Sequence, residues 1–252
     1  MSVSTITLCA GVGKRMNSDV PKCAVDLLGK PMINYVMESI KENEIEENYV
    51  IVGYKKEYMK KILSRFNLIC FIEQEQQLGT GHAVQQALPY LSKSESDFVI
   101  VIMGDMPVVT PEFLRNIMES HKKSGSISTV VTITQDDPGK NARIIRKGSG
   151  EELTNIIEYK DIINENHYEI KEVNAGLYVF NRLELIEYLP KLTNNNNQNE
   201  YYLPDIIKLQ LSDNLPINVF KADGEIITPI GANTMEELEQ IGKNMLKARS
   251  VK

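Results

Sequence analysis

Cysteine is scarce in this 252-residue chain: Cys9, Cys23 and Cys70 are odd in number and widely spaced, so they build neither a zinc motif nor a disulfide framework. They are expected to be small buried or half-buried residues in a reducing, cytoplasmic setting. Positive charge is not in excess either. Lys and Arg number 28 against 34 Asp and Glu, a net charge of −6, which argues against a nucleic-acid partner held by a broadly basic surface. No apolar run reaches membrane-spanning length, and no basic segment followed by an apolar stretch opens the chain. Neither a membrane partner nor a secretory signal is therefore expected. His82, His121 and His167 belong to no Ser/His/Asp or Cys/His pattern, and packing or a backbone hydrogen bond is the better reading of each.

What is present is an alternation of apolar runs with amphipathic segments. Val3 to Thr7, Val50 to Val52, Leu68 to Ile72 and Phe98 to Met103 read as strands. The last has no polar alternation, which predicts burial on both faces. A helix is expected from Pro31, with Met32, Ile33, Val36, Met37 and Ile40 on one face. Another carries Ala83, Val84, Ala87, Leu88 and Leu91, and a third follows the N-cap Thr110 with Phe113, Leu114, Ile117 and Met118. This alternation predicts an α/β fold with a mostly parallel central sheet and helices on both faces. Ligands on such sheets bind beyond the carboxyl ends of the strands. After residue 125 helices are sparser. Strand-like segments at 127–134, 142–146, 153–158 and 173–180 predict a mixed-strand region. The polar tract Thr193 to Asn199 is expected to be a flexible loop, and Asn233 to Arg249 an amphipathic helix.

Three segments could carry chemistry. Leu8-Cys9-Ala10-Gly11-Val12-Gly13-Lys14-Arg15-Met16, with Pro21-Lys22, places a glycine turn and three cations after the first strand. That suits a phosphate chain. Met16 stands where a P-loop needs its second glycine and a dinucleotide fingerprint its third, so the turn is neither. By itself it reads equally well as a basic surface turn. Asp105, in Gly104-Asp105-Met106-Pro107 at the end of the most apolar strand, is either a turn former or a hard-oxygen magnesium ligand facing the crevice; the glycine turn nearby favours the metal. Between a strand and a helix, Gln74 to Gly81 offers glutamine amides that can read a nucleobase edge, and Thr80 as a helix cap.

Taken together these segments resemble the sugar-1-phosphate nucleotidyltransferases, most closely the uridyltransferase domain of bacterial UDP-N-acetylglucosamine pyrophosphorylases. The resemblance runs in order through Leu8 to Met16, Pro21-Lys22, Gln77 to Ala83, Gly104 to Pro107, Ile157-Glu158, Val173 to Gly176, Glu200 to Leu203 and Gly231-Ala232-Asn233. It implies a Rossmann-like nucleotidyltransferase fold forming a single domain over 1–252. A nucleotide-binding half would span 1–125, a sugar-binding half 126–232, and a C-terminal helix 233–252. It implies UTP and a sugar 1-phosphate as substrates and magnesium (Mg2+) as cofactor. Arg15 and Lys22 would act on the phosphates. Leu8, Ala10, Gly11, Gly13, Gln74, Gly79 and Thr80 would bind the nucleotide. Gly104, Ala142, Glu158 and Asn174 would bind the sugar, and Asp105 with Asn233 the metal. The residues alone suggest only a helix cap for Asn233.

The chain departs from the family pattern at Met103, where Tyr is usual, at Ala142, where Gly is usual, and at Lys14, where Thr is usual. The first two bear on the choice of sugar. Neither a left-handed β-helix domain nor its acetyltransferase activity is expected. The alternatives are a related transferase using another nucleotide or acceptor, such as CTP with a phosphorylated alcohol, and a non-catalytic nucleotide-sugar sensor. Lys22, Arg15, Asp105 and Asn233 occurring together argue against the sensor.

Overall fold

The structure, a computed structural model, describes residues 2–13, 16, 18–148, 150–223 and 231–250. Strand β1 (Val3–Cys9) leads into the glycine turn. A short hairpin of β2 (Asp26–Leu27) and β3 (Lys30–Pro31) follows, then α1 (Met32–Glu42), β4 (Glu47–Val52), α2 (Lys56–Leu63), β5 (Ile69–Glu73), α3 (Thr80–Gln85), α4 (Leu88–Leu91), β6 (Phe98–Met103) and α5 (Pro111–Ser124). The second half holds β7 (Ser128–Thr134), β8 (Arg143–Arg146), β9 (Leu153–Ile157), β10 (Glu172–Asn181), α6 (Arg182–Tyr188), α7 (Asp205–Ser212), β11 (Ile217–Lys221) and α8 (Met235–Ser250).

The main sheet has the strand order β11-β7-β10-β6-β1-β4-β5, with the β8–β9 pair attached to β10. Strand β1 runs parallel to both β4 and β6, so that Leu8 lies opposite Ile51 and Met103. Strand β10 is antiparallel to its neighbours β6 and β7, while β11 is parallel to β7. Along this path, among the described residues, β10 is thus the one reversed strand. The sheet is mostly parallel, with a mixed region after residue 125, as expected.

The unbroken apolar run of β6 is explained by burial on both sides. Ile100 and Ile102 pack with Ile33, Val36, Phe113 and Ile117 of α1 and α5. Val99 and Val101 point to the opposite face, against Val84, Leu185 and Ile206 of α3, α6 and α7. Thr110 caps α5 by accepting from Phe113 N at 3.1 Å. The helix expected over Ala83 to Leu91 is instead two helices, α3 and α4. Pro89 has no N–H to donate to Gln85 O, and its ring crowds that carbonyl, so the helix stops and restarts. Helix α8 docks through Leu238 and Met245 on Leu27, Met32 and Tyr35 of the hairpin and α1. That docking carries the start of α8 back to the glycine turn.

Candidate active site

Because β1, β5 and β6 run in the same direction, the loops after them meet on one side of the sheet. They enclose a cleft of about 290 Å³. Its walls include Leu8, Ala10 and Gly11 after β1, Gln74, Gly79 and Thr80 after β5, and Lys22 and Asp105. All eight were expected at the site. Gln77, Met103, Glu200 and Cys23 also line it. Of these, Met103 was expected to bear on the choice of sugar; Gln77, Glu200 and Cys23 were not assigned to the site from sequence, although each lies inside or beside a segment that carried the resemblance.

Gly13 adopts φ +66°, and a Cβ there would come within 2.5 Å of Lys22 Cβ. Only glycine lets the turn close over the lysine stem. Lys22 begins a single 3-10 turn, and its ammonium ion-pairs with Asp105 and donates to Asn233 Oδ1 at 2.8 Å. Lys22 and Asn233 are 211 positions apart, and α8 brings them together. Ala232 N donates to Asp105 O at 3.2 Å, which ties the two acceptor-bearing segments to each other. The cap at the start of α8 is Thr234, whose hydroxyl accepts from Glu237 N at 3.2 Å, so the Asn233 amide oxygen is directed to the cleft instead of to the helix. Asp105 and Asn233 present two hard oxygens to one cation. That is the donor set that Mg2+ accepts when nucleotide phosphates and water complete its shell. Among the described residues no group of three or more His, Cys, Asp or Glu could hold a metal without such help. Arg15 and Lys14 lie outside the described residues. The free Cys9 thiol is pushed well up by burial and by a hydrogen bond with the free thiol of Cys23, in keeping with the inert small residues expected.

On the opposite wall the buried Gln74 amide donates to Gly79 O at 3.1 Å and contacts His82 Nδ1 at 2.9 Å. Burial holds the His82 imidazole below its usual value, which favours the neutral ring and an acceptor Nδ1. His82 thus orients Gln74 and packs, as its sequence context suggested. His121 likewise packs, against the Phe98 ring and between Thr129 and Asn181. Thr80 does not cap α3. Its hydroxyl accepts from Leu203 N at 3.1 Å because the segment 200–203 lies directly over the loop. Gly79, at φ +108°, could carry no side chain: a Cβ would lie 2.9 Å from Tyr201 N.

None of the residues expected on the acceptor side lines the cleft itself, and two of them, Asn174 and Ala142, meet through their backbones. Asn174 donates from Nδ2 to Tyr178 OH at 2.5 Å, accepts from Gly176 N at 3.0 Å, and through its own N–H bonds to Ala142 O at 2.9 Å. Ala142 is buried in the core. Glu158 is half-buried; desolvation, reinforced by Asp205, Asp161 and Glu200 and opposed by Lys208, pushes its carboxyl up to about 7. Gly104 is a packing position: a Cβ there would run into the sulfurs of Cys9 and Cys23. Met103 links the cleft to the Asn174 segment, since it lines the cleft and lies against Gly176.

The fold, with its cleft at the carboxyl ends of parallel strands, is that of the nucleotidyltransferases. The chain belongs to the MobA-like NTP transferase family, whose domain model matches residues 5–169. The bifunctional protein GlmU of Clostridium tetani is 40% identical over 243 residues, covering 96% of this chain and 52% of that protein. GlmU of Syntrophomonas wolfei is 37% identical over 249 residues, covering 99% of this chain and 54% of its own. The chain spans about half the length of these curated relatives. A UDP-glucose pyrophosphorylase solved with UDP-glucose shares the fold with a TM-score of 0.76 at 18% identity, covering 98% of this chain and 100% of that one. A CMP:2-keto-3-deoxy-manno-octonic acid synthetase solved with CTP shares it with a TM-score of 0.68 at 14% identity, covering 98% and 100%.

Proposed function

We propose that the chain is a Mg2+-dependent uridylyltransferase that converts UTP and a sugar 1-phosphate, N-acetylglucosamine 1-phosphate in the first instance, into a UDP-sugar and pyrophosphate. The observation that carries this reading is the meeting of Lys22, Asp105 and Asn233 at the mouth of a cleft whose other wall is Gln74 and Gly79. The choice of uridylyl and N-acetylglucosaminyl groups rests on the ordered motifs shared with the UDP-N-acetylglucosamine pyrophosphorylases.

In this reading the sugar phosphate oxygen attacks the α-phosphorus of UTP and pyrophosphate leaves. The phosphate nucleophile is already ionised, so the chain needs neither a covalent nucleophile nor a general base. Its task is to position two anions and offset their repulsion. The Gly11–Gly13 turn receives the triphosphate. Lys22 moves its charge from Asp105 to the reacting phosphates, joined by Arg15. Gln74, fixed by Gly79 O and His82, presents its remaining amide valences to uracil. Glu158 and Asn174 accept from and donate to sugar hydroxyls. Asp105 and Asn233 would hold Mg2+, which supplies Lewis-acid charge at the phosphates.

The test is pyrophosphate release across a panel of nucleoside triphosphates and phosphorylated acceptors with Mg2+. Highest kcat/KM with UTP and N-acetylglucosamine 1-phosphate is expected. Preference for CTP would replace this reading with a cytidylyltransferase, and no release with any pair would leave a nucleotide-sugar sensor.

A further inference from the structure

The polar tract 193–199 has no part in the chemistry above, yet its side chains hold backbone both at Glu200, which lines the cleft, and in the turn that follows Glu158. Asn196 Oδ1 accepts from the amides of Gln198 and Glu200, each at 3.2 Å, and Asn196 Nδ2 donates to Glu200 O at 2.6 Å. Glu200 is thereby gripped at both its N–H and its carbonyl, with its side chain in the cleft wall. Asn197 reaches the other way. Its N–H donates to Asp161 Oδ1 at 2.9 Å and its Nδ2 to Lys160 O at 2.6 Å. Both partners belong to the 3-10 turn Tyr159–Asp161, which starts immediately after Glu158.

Beyond Glu200 the segment locks onto the nucleotide-side loop. Tyr201 N donates to Leu78 O, and Tyr201 O accepts from Gly81 N, both at 2.8 Å. Leu203 N reaches Thr80 Oγ1 at 3.1 Å, and Gln198 Nε2 donates to Tyr202 OH at 2.7 Å. A continuous strap therefore runs from the Glu158 turn through Asn197, Asn196 and Glu200 to Gly79–Gly81, and from Gly79 O to Gln74. Asn199 within it adopts φ +54°, a left-handed conformation that asparagine tolerates better than most residues. The expected flexible loop is thus a hydrogen-bonded one. An asparagine side chain mimics a peptide group, and this is why the tract can stitch backbone to backbone.

We propose that Asn196 and Asn197 are positioning residues that hold the acceptor-side Glu158 in register with the nucleotide-side Gly79–Gly81 loop, so that the two segments order as one unit. The proposal rests on the uridylyltransferase reading for what the two segments bind, and on the hydrogen bonds alone for their coupling. Misplacement by about 1 Å at such a remove is enough to impair a reaction that works by positioning.

The test compares the full chain with the double variant Asn196→Ala/Asn197→Ala and with Asn195→Ala, a change at an exposed neighbour with no side-chain hydrogen bond among the described residues. Hydrogen exchange, read without substrate, is expected to speed up in the double variant at both 78–81 and 158–161 and to be unchanged in Asn195→Ala. In turnover with UTP, the KM for N-acetylglucosamine 1-phosphate is expected to rise roughly fivefold or more, with kcat changed less than KM and the thermal midpoint lowered by the lost hydrogen bonds. Faster exchange confined to 193–200, or an acceptor KM within about twofold of the parent, overturns the proposal. A parent chain that releases no pyrophosphate with this pair overturns the uridylyl reading instead, and the exchange pattern then decides the strap by itself.

Discussion

Lys22→Met keeps the length and apolar stem of the side chain and removes the ammonium that Asp105 and Asn233 share. Two separable losses follow. In the folded chain Asp105 loses its partner, and with side-chain exposures of 17% for Lys22 and 12% for Asp105 little water reaches the pair. Removing one member of a fully buried pair costs about 3–5 kcal/mol, and the residual exposure here brings the figure to about 2 kcal/mol. For a chain of this size that is a fall of about 4–8 °C in thermal midpoint. In turnover, loss of one charge aimed at the reacting phosphates costs about 2.7–4 kcal/mol of transition-state stabilisation, or about 100- to 1000-fold in kcat. Scanning calorimetry and a coupled pyrophosphate assay read the two effects. Repeating the substitution in an Asp105→Asn background isolates the pair, because the stability loss should then shrink while the loss of turnover remains severe. A midpoint within about 1 °C of the parent together with kcat within about threefold would refute the reasoning on both counts.

Glu158 gives a pH-dependent prediction. Its folded carboxyl is raised from 4.5 to about 7, so the stability it contributes is full below about pH 4.5 and is lost as pH rises through about 7. Glu158→Gln should therefore gain on the parent between about pH 5 and pH 8, by about 1–2 kcal/mol after allowance for its partial exposure, as read from denaturation midpoints at each pH. Gly79→Ala forces a side chain into a left-handed backbone against Tyr201, and about 1–3 kcal/mol of stability should be lost along with an increase in the KM for UTP. Thr110→Ala removes the cap of α5 at a residue that does not line the cleft and should lower stability by about 1 kcal/mol with turnover unchanged. Equal activity losses in Thr110→Ala and Gly79→Ala would show that both act through folding alone.

The extent of what could be read from the chain follows the range of the interactions involved. Strands β1, β4, β5 and β6 announce themselves by apolar β-branched runs, and α1 and α5 by the spacing of their apolar residues, because these patterns record local backbone geometry. The break at Pro89 was local too, and is explained by one missing N–H. Helix α2 and strand β11 escape such reading. The first is short and half of its residues are charged, and the second is half-buried over Ile217 to Phe220 and exposed at Lys221. The glycine turn, Gln74 and Asp105 stood out because they punctuate the ends of legible strands. Asn233 did not: by itself it reads as a helix cap, a role that Thr234 fills.

The amino-acid sequence by itself determined that this is an α/β protein with a phosphate-suited turn and the ordered motifs of a nucleotidyltransferase. Tertiary structure decided where those motifs meet. The placement of β1 between β4 and β6 gathers three loops at one edge, and the docking of α8 carries Asn233 across 211 positions to Lys22. It also turned the Thr80 hydroxyl from capping α3 to holding Leu203, and a tract of polar residues from a loose loop into a strap. Periodicity can report only the conformation of neighbours along the chain. Which distant donor finds which acceptor is set by the pairing of strands and the packing of helices, and those exist only once the core has formed.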